Sequence, residues 1–584
     1  MRALHTPIVT ERRRKRGRSG PLFLYVILFI VAAVSVVWWL GNRDTASKEW
    51  IVPDYMSKRH PVMLRGEWTS SHALGDGEGM RIPLSVAQKL LGDGVRYEEA
   101  SESIILTTDD DVLHFREGEL SATLNSKPIA LSFTAEKSGG ELYLPLAPLA
   151  ELFGLQAETG SGTGIVTLNM PGDAVQGAEV PVTSKKPKKL RAGADKSFAI
   201  VEDLPAGTKL RLWKEEGDGG WYAAQSASGQ IGYVAKGDVV LTSVEQVAEN
   251  EDKEEPFVAW KGEGRRINLT WEAVYSANPD TNAIGDLQGV NVVSPTWFEL
   301  VDDKGTIRSK ADAGYSAWAR AKGMHVWGLF SNGFEPDRTH VALATYETRL
   351  AMIKQLLAYA KTFKLQGINI DFENVYTKDK DNLVQFVREM TPLLHEANLV
   401  VSIDVTPKSN SEMWSLFLDR ARLGTVVDFM MVMSYDEHWA SSPTSGSVSS
   451  LPWTENTIKR ILDEDGVPSS KLILGMPLYA RVWTEEPDGK GGVKVSSKAL
   501  GMGAVNQIIQ EKKLKPIMSE TGQHYAEYKE GESLKRIWIE DAVSIKARAE
   551  LVKKYDLAGA ATWRRGFETP DIWPALDEAL QSRP

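Results

Sequence analysis

The sequence predicts an α/β protein whose largest part is a (β/α)8 TIM barrel, and three observations carry that prediction. From Arg265 onward, short apolar runs alternate with amphipathic helical stretches such as Tyr346–Phe363 and Lys380–Ala397, the pattern of repeated β/α units. Eight runs qualify as strands: Ile267–Trp271, Val290–Pro295, His325–Phe330, Ile368–Glu373, Val400–Val405, Phe429–Tyr435, Leu472–Pro477 and Ala558–Trp563. The second observation is the stretch Leu365-Gln-Gly-Ile-Asn-Ile-Asp-Phe-Glu-Asn-Val375. Alternation along a strand sets Asn369, Asp371 and Glu373 on one face and Ile368, Ile370 and Phe372 on the other. Stability does not call for a polar row inside an apolar strand. An inward-facing row with carboxylates at its C-terminal end suits a barrel, because catalytic groups sit at that end of barrel strands. Third, residues 263–584 exceed the usual barrel of about 250 residues. The surplus falls at Val493–Asp541, where Gly-rich turns mix with strand-like runs (Gln523–Tyr528, Arg536–Ile539). It reads as a small α+β insertion between strands 7 and 8, walling one side of a groove.

The parts before the barrel follow in chain order. Residues 1–20 form a basic tail with seven Lys/Arg against Glu11, about +6, so a net charge of −10 leaves the other residues near −16. An acidic body is a poor nucleic-acid binder. Arg12-Arg-Arg-Lys-Arg16 precedes an apolar run from Leu22 to Leu40, long enough as a helix to cross a bilayer. Residues 21–41 are therefore expected to be a transmembrane helix with a cytoplasmic N-terminus, and the rest of the chain extracytoplasmic. A cleavable signal peptide is the alternative, but Trp-Trp-Leu-Gly-Asn-Arg follows the run where a small-x-small site belongs. The chain has no cysteine, which excludes disulfides, thiolate nucleophiles and thiolate metal sites.

Residues 55–172 contain a weak repeat: Arg81-Ile-Pro-Leu-Ser-Val-Ala-Gln-Lys-Leu-Leu-Gly92 is echoed by Tyr143-Leu-Pro-Leu-Ala-Pro-Leu-Ala-Glu-Leu-Phe-Gly154. Each unit reads as strand, short helix stopped by glycine, then strand. This small α/β module resembles the N-terminal domain of some copper amine oxidases. His60, His72 and His114 form no ligand spacing, so a spacer or wall-contact role is expected rather than a metal site. Residues 173–189 read as a Lys/Pro linker. Residues 190–243, with Gly220-Trp-Tyr222 and Gly232-Tyr-Val234, resemble a bacterial Src-homology-3-like (SH3-like) β-barrel. Trp221 and Tyr233 read either as core aromatics or as ligand contacts. Residues 244–262 are an acidic linker.

From 263 to the end, the motifs resemble a family 18 glycoside hydrolase of the chitinase-like class. The family's Asp-Gly-x-Asp-x-Asp-x-Glu appears as Gln366-Gly-Ile-Asn369-Ile-Asp371-Phe-Glu373, its Met-x-Tyr-Asp as Met433-Ser-Tyr435-Asp436, its Gly-x-Pro-x-Tyr as Gly475-Met-Pro-Leu-Tyr479, and its final-strand tryptophan as Trp563. Gln366 and Asn369 depart from the family aspartates, and the pattern is similar to that of spore-cortex-lytic N-acetylglucosaminidases. The resemblance implies retaining, substrate-assisted cleavage of β-1,4 bonds next to N-acetylglucosamine, with no cofactor and no metal. Glu373 would be the general acid, since neighbouring carboxylates do not both ionise freely. Asp371 would hold the acetamide N–H of the substrate, Tyr435 its carbonyl oxygen, and Trp563 would floor the sugar site. Asn369 is expected to hydrogen-bond to Asp371 in place of the family's carboxyl pair.

Met433, Asp436, Tyr479 and Arg481 are the remaining substrate-binding candidates, with Asn332 a polar contact at the same rim. Trp297, Trp327, Trp439 and Trp483 lie at or after strand ends, as sugar-stacking or packing residues. Glu299 and Asp404 read as solvated or helix-capping, and His438 as structural. The expected partners are a chitin- or peptidoglycan-type glycan and the cell membrane, with the protein a monomer. A catalytically impaired glycan-binding protein of the envelope is the rival reading.

Overall fold

The computed structural model describes residues 28–35, 46–216, 219–248, 257–487 and 491–581. Eight parallel strands form the centre of the larger part: β1 (Ile267–Glu272), β2 (Val292–Pro295), β3 (His325–Ser331), β4 (Gly367–Asp371), β5 (Val400–Val405), β6 (Phe429–Met433), β7 (Leu472–Pro477) and β8 (Gly559–Trp563). Each pairs with its sequence neighbour, and β1 pairs with β8, so the sheet closes on itself. Every strand agrees with its sequence expectation to within two residues.

Alternation along these strands produces two cores. Ile368, Ile370, Val401, Ile403, Met430 and Val432 point outward and join one cluster with the surrounding helices. Leu269, Trp271, Trp327, Leu329, Val400, Phe429 and Met431 fill the interior. At the N-terminal end the incoming chain closes the interior: Trp260 stacks on His325 at 3.8 Å and Phe257 on His395 at 3.9 Å. Two motif glycines are set by strand spacing. A Cβ at Gly367 would sit 2.8 Å from the Val400 carbonyl oxygen, and one at Gly475 2.6 Å from that of Val432.

The insertion between β7 and β8 is a five-stranded antiparallel sheet with the helix Met502–Glu511. It begins at Tyr479, earlier than the expected 493, because Tyr479–Pro487 pairs with Val493–Gly501 and Ser533–Ile539 rather than ending β7.

The chain divides into two compact units, Met1–Leu74 with Gly154–Glu249 and Gly75–Phe153 with Asn250–Pro584. The boundary passes through the repeat module. Its two repeat strands, Arg81–Pro83 and Glu141–Pro145, pair antiparallel with Ile82 opposite Leu144, so the sequence echo is a structural one. The portion within the barrel's unit is not a free spacer. Ile105 and Val112 enter the outer barrel core. Arg349, wholly buried, donates to Glu389 on a barrel helix at 2.7 and 2.8 Å and to Glu98 of the module at 2.7 Å.

In the other unit, a seven-stranded sheet holds the SH3-like segment around Leu190, Leu204, Leu210, Leu212 and Val234. Ala174–Glu179, within the stretch read as a linker, is one of its strands, bonded to Lys209–Glu216 and Val240–Gln246. Trp221 and Tyr233 are half-buried and stand outside that core. The basic tail and most of the expected transmembrane helix at 21–41 lie outside the described residues, of which 28–35 are helical. Among the described residues no helix is long and apolar enough to cross a membrane.

Candidate active site

The motif residues meet at the C-terminal mouth of the barrel. β4 ends at Asp371, which is 9% exposed and lies on the inner face. Glu373 stands two residues beyond, half-buried, where the chain leaves the strand. That exit is held by Asn332 after β3: its Nδ2 donates to the Glu373 carbonyl oxygen at 2.8 Å, and its Oδ1 accepts from the Glu373 N–H at 3.1 Å. Asn332 is fully buried and also donates to Thr339 at 3.0 Å, so it clamps a peptide rather than forming the rim. Phe334, Asn374 and Asp436, after β3, β4 and β6, all adopt left-handed backbone (φ 59°, 53° and 60°). Such strain gathers where surrounding structure over-determines a site.

The electrostatics follow from burial, and no cation is among the groups that shift Asp371 or Glu373. Burial pushes the Asp371 carboxyl up to about 7. Glu373 is held well above the usual carboxyl range, by burial first and then by the charges of Asp371 and Asp436. Tyr435, just past β6, has its hydroxyl pushed well above 10 by burial and by the carboxyls of Asp404, Asp371 and Glu373. It is thus a neutral donor beside an acid that keeps its proton.

Asp436 accepts from the Tyr479 hydroxyl at 2.7 Å and from Arg481 Nη2 at 2.8 Å, so these three predicted residues form one cluster. The Tyr479 ring lies edge-on to Tyr435, 6.4 Å between centroids. Met433 is buried at the end of β6. Trp563 ends β8, half-buried and edge-on to the interior Trp271 at 6.1 Å.

Several expectations are corrected. Asn369 does not reach Asp371 with a hydrogen bond; its Nδ2 donates to Asp404 at 2.8 Å and its Oδ1 accepts from Ser402 at 2.8 Å. Asp404 is neither solvated nor a cap. It is 2% exposed on the inner face of β5, and sequence reasoning underrated it although it follows Ser402 by the two-residue step that keeps a side chain on one face. Gln366 bridges β4 to β3 through Val326, a structural role. Of the tryptophans read as sugar-stacking or packing residues, Trp297, Trp327 and Trp483 are fully buried, which fits the packing reading, whereas Trp439 is 53% exposed. Glu299 pairs with Arg308 at 2.6 Å, and His438 Nδ1 meets the Ser447 carbonyl oxygen at 2.9 Å. Among the described residues no group of three or more His, Cys, Asp or Glu is arranged to hold a metal.

A protonated carboxyl beside a second carboxyl at a barrel mouth is the equipment of glycoside hydrolysis, so fold and site define a barrel glycosidase. The comparisons name the family. Residues 298–568 match glycosyl hydrolases family 18, and the barrel is a family 18 glycosyl hydrolase domain. Residues 71–168 match the copper amine oxidase N-terminal domain and 189–240 the bacterial SH3 domain. Among curated relatives, the uncharacterized glycosylase YvbX of Bacillus subtilis (strain 168) is 26% identical over 337 residues, 55% of this chain and 94% of that protein. The cortical fragment-lytic enzyme of the same organism is 25% identical over 260 residues, 44% of this chain but only 59% of that enzyme. Among solved structures, the chitinase of Chromobacterium violaceum ATCC 12472 aligns at 22% identity over 55% of this chain and 100% of its own, TM-score 0.48. The spore cortex-lytic enzyme SleL of Bacillus megaterium QM B1551 aligns at 19% identity over 58% and 77%, TM-score 0.48.

Proposed function

We propose that this protein is a membrane-anchored, outward-facing glycosidase that cleaves β-1,4 bonds next to N-acetylglucosamine with retention, using the substrate's own acetamide as nucleophile. The observation that carries the reading is the pairing of Glu373 with Asp371: a buried carboxyl at the end of β4 and a half-buried one two residues on, the outer one holding its proton. Glu373 protonates the leaving oxygen. Asp371, as the carboxylate, grips the acetamide N–H while the acetamide oxygen attacks the anomeric carbon. The neutral Tyr435 hydroxyl donates to that oxygen as charge develops, and Trp563 lies under the distorted ring. Water then opens the cyclic intermediate, with Glu373 now acting as base.

A cell-wall glycan is the preferred substrate over chitin. The support is the apolar run from Leu22 to Leu40 behind its basic cluster, the SH3-like segment, and relatives named for lysis of cortical fragments and spore cortex. The test incubates the protein with chito-oligosaccharides and with purified sacculi, beside Glu373→Gln. Losing a general acid lowers turnover about 10²–10⁴-fold. Equal product from both proteins defeats the assignment of Glu373, and glycan binding without any release of reducing ends defeats the enzyme reading altogether.

A further inference from the structure

Polar atoms buried in a folded chain have partners, yet two carboxylate oxygens at the floor of this site have none among the described residues: Asp371 Oδ1 and Asp404 Oδ1. The two side chains are lateral neighbours. Parallel register between β4 and β5 runs Asn369 to Ser402 and Ile370 to Ile403, and the next step sets Asp371 beside Asp404 on the inner face. The second oxygen of Asp404 is already taken. Ser402 donates to the Asn369 oxygen, which fixes that amide with its nitrogen towards Asp404 Oδ2.

The titratable groups that act on this pair are Glu373 from the β4 exit and Tyr435 beyond β6; Trp271 on β1 turns an indole N–H with no other partner towards Asp404, the weakest of the influences on that carboxyl, and no cation is among them. Two bare charges side by side in such an interior are strongly disfavoured, since burial strips their hydration and nothing cationic repays it. A single proton between the two orphan oxygens removes one charge and satisfies both atoms.

We propose that Asp404 is a positioning residue for the reaction: it donates a carboxyl hydroxyl to Asp371 and so orients the carboxylate that grips the substrate acetamide. Asn369 is then an amide because the site needs a donor there, to the Asp404 carbonyl oxygen, and an amide supplies it without a further proton, which a carboxyl would have to bind first. The carboxyl partner of Asp371 stands on the neighbouring strand instead of deeper on its own.

The kinetic part of the test rests on the glycosidase reading above; the spectroscopic part does not. Asp404→Asn keeps the arrangement, since its amide oxygen accepts from Asn369 and its NH2 donates to Asp371. Asp404→Leu removes the donor. With chito-oligosaccharide substrate, Asp404→Asn is expected to keep kcat within about threefold and to leave the acidic limb of the pH profile in place. Asp404→Leu is expected to lower kcat at least about tenfold with little change in KM, and to move that limb to higher pH, because the charged form of Asp371 has lost a hydrogen bond. A leucine variant that merely melts earlier, with the wild-type kcat and limb, assigns Asp404 a structural role and overturns the proposal. Independently of activity, the infrared difference between Glu373→Gln and Glu373→Gln/Asp404→Asn at neutral pH should contain the carbonyl band of one protonated carboxyl. Absence of that band shows Asp404 ionised, which also overturns the proposal. If the wild type cleaves no glycan at all, the glycosidase reading fails and the band alone decides the proton's place.

Discussion

Replacing Asp371 by Asn should abolish turnover and at the same time stabilise the protein, and the size of that gain can be worked from the structure. Burial raises the Asp371 carboxyl from its ordinary 3.8 to about 7. The folded state therefore holds a proton that the unfolded chain has released anywhere between those values, and stability falls as pH rises across that window. Below 3.8 both states are protonated and the residue costs nothing of this kind; above about 7 the full penalty is present. At about 1.4 kcal/mol per pH unit the span converts to about 4 kcal/mol, an upper bound because local relaxation and the neighbouring proton share part of it. Asparagine has nearly the same shape and no charge, so it escapes the penalty. Denaturant unfolding of the wild type and Asp371→Asn at about pH 4 and about pH 8 should show a difference near zero at the lower pH, growing to between about 1 and 4 kcal/mol at the higher. A difference of the same size at both values would refute the claim that a desolvated carboxylate is stored at this site for function.

Other outcomes follow from the same geometry. Asn332→Ala strips both hydrogen bonds from the Glu373 peptide. It should cost about 1–3 kcal/mol in chemical denaturation and lower kcat more than it changes KM. Arg349→Met leaves Glu389 buried without its cation and Glu98 with Arg96 alone; calorimetry should show a loss of about 3–5 kcal/mol, with the kinetics of the surviving folded protein unchanged. Trp439→Ala and Trp297→Ala should separate cleanly. The exposed Trp439 alters KM for long glycans and leaves the Tm in place, whereas the buried Trp297 costs about 3–5 kcal/mol with little effect on KM.

The barrel was legible because its strands are apolar on both faces and its helices amphipathic, so period and punctuation mark all eight units within a residue or two. The motif carboxylates were legible too, because polar groups on an apolar strand have few explanations. The insertion start at Tyr479 was hidden by composition: Tyr-Ala-Arg-Val-Trp continues the apolar character of β7, and only its pairing with Ser533–Ile539 shows that it belongs to another sheet. The four tryptophans after strand ends looked alike in sequence, and burial alone divided them.

By itself, the order of residues determined which faces are apolar, where the chain turns, and which carboxylates end β4. Those are local matters of alternation and propensity. Tertiary structure decided which groups stand next to one another across strands. It gave Asn369 to Asp404 rather than to Asp371, turned Asn332 from a rim residue into a clamp, and joined Glu98 to a barrel helix through Arg349. The physical reason is that lateral register and burial set each side chain's partners and the dielectric around it, and neither quantity is written in any single stretch of chain.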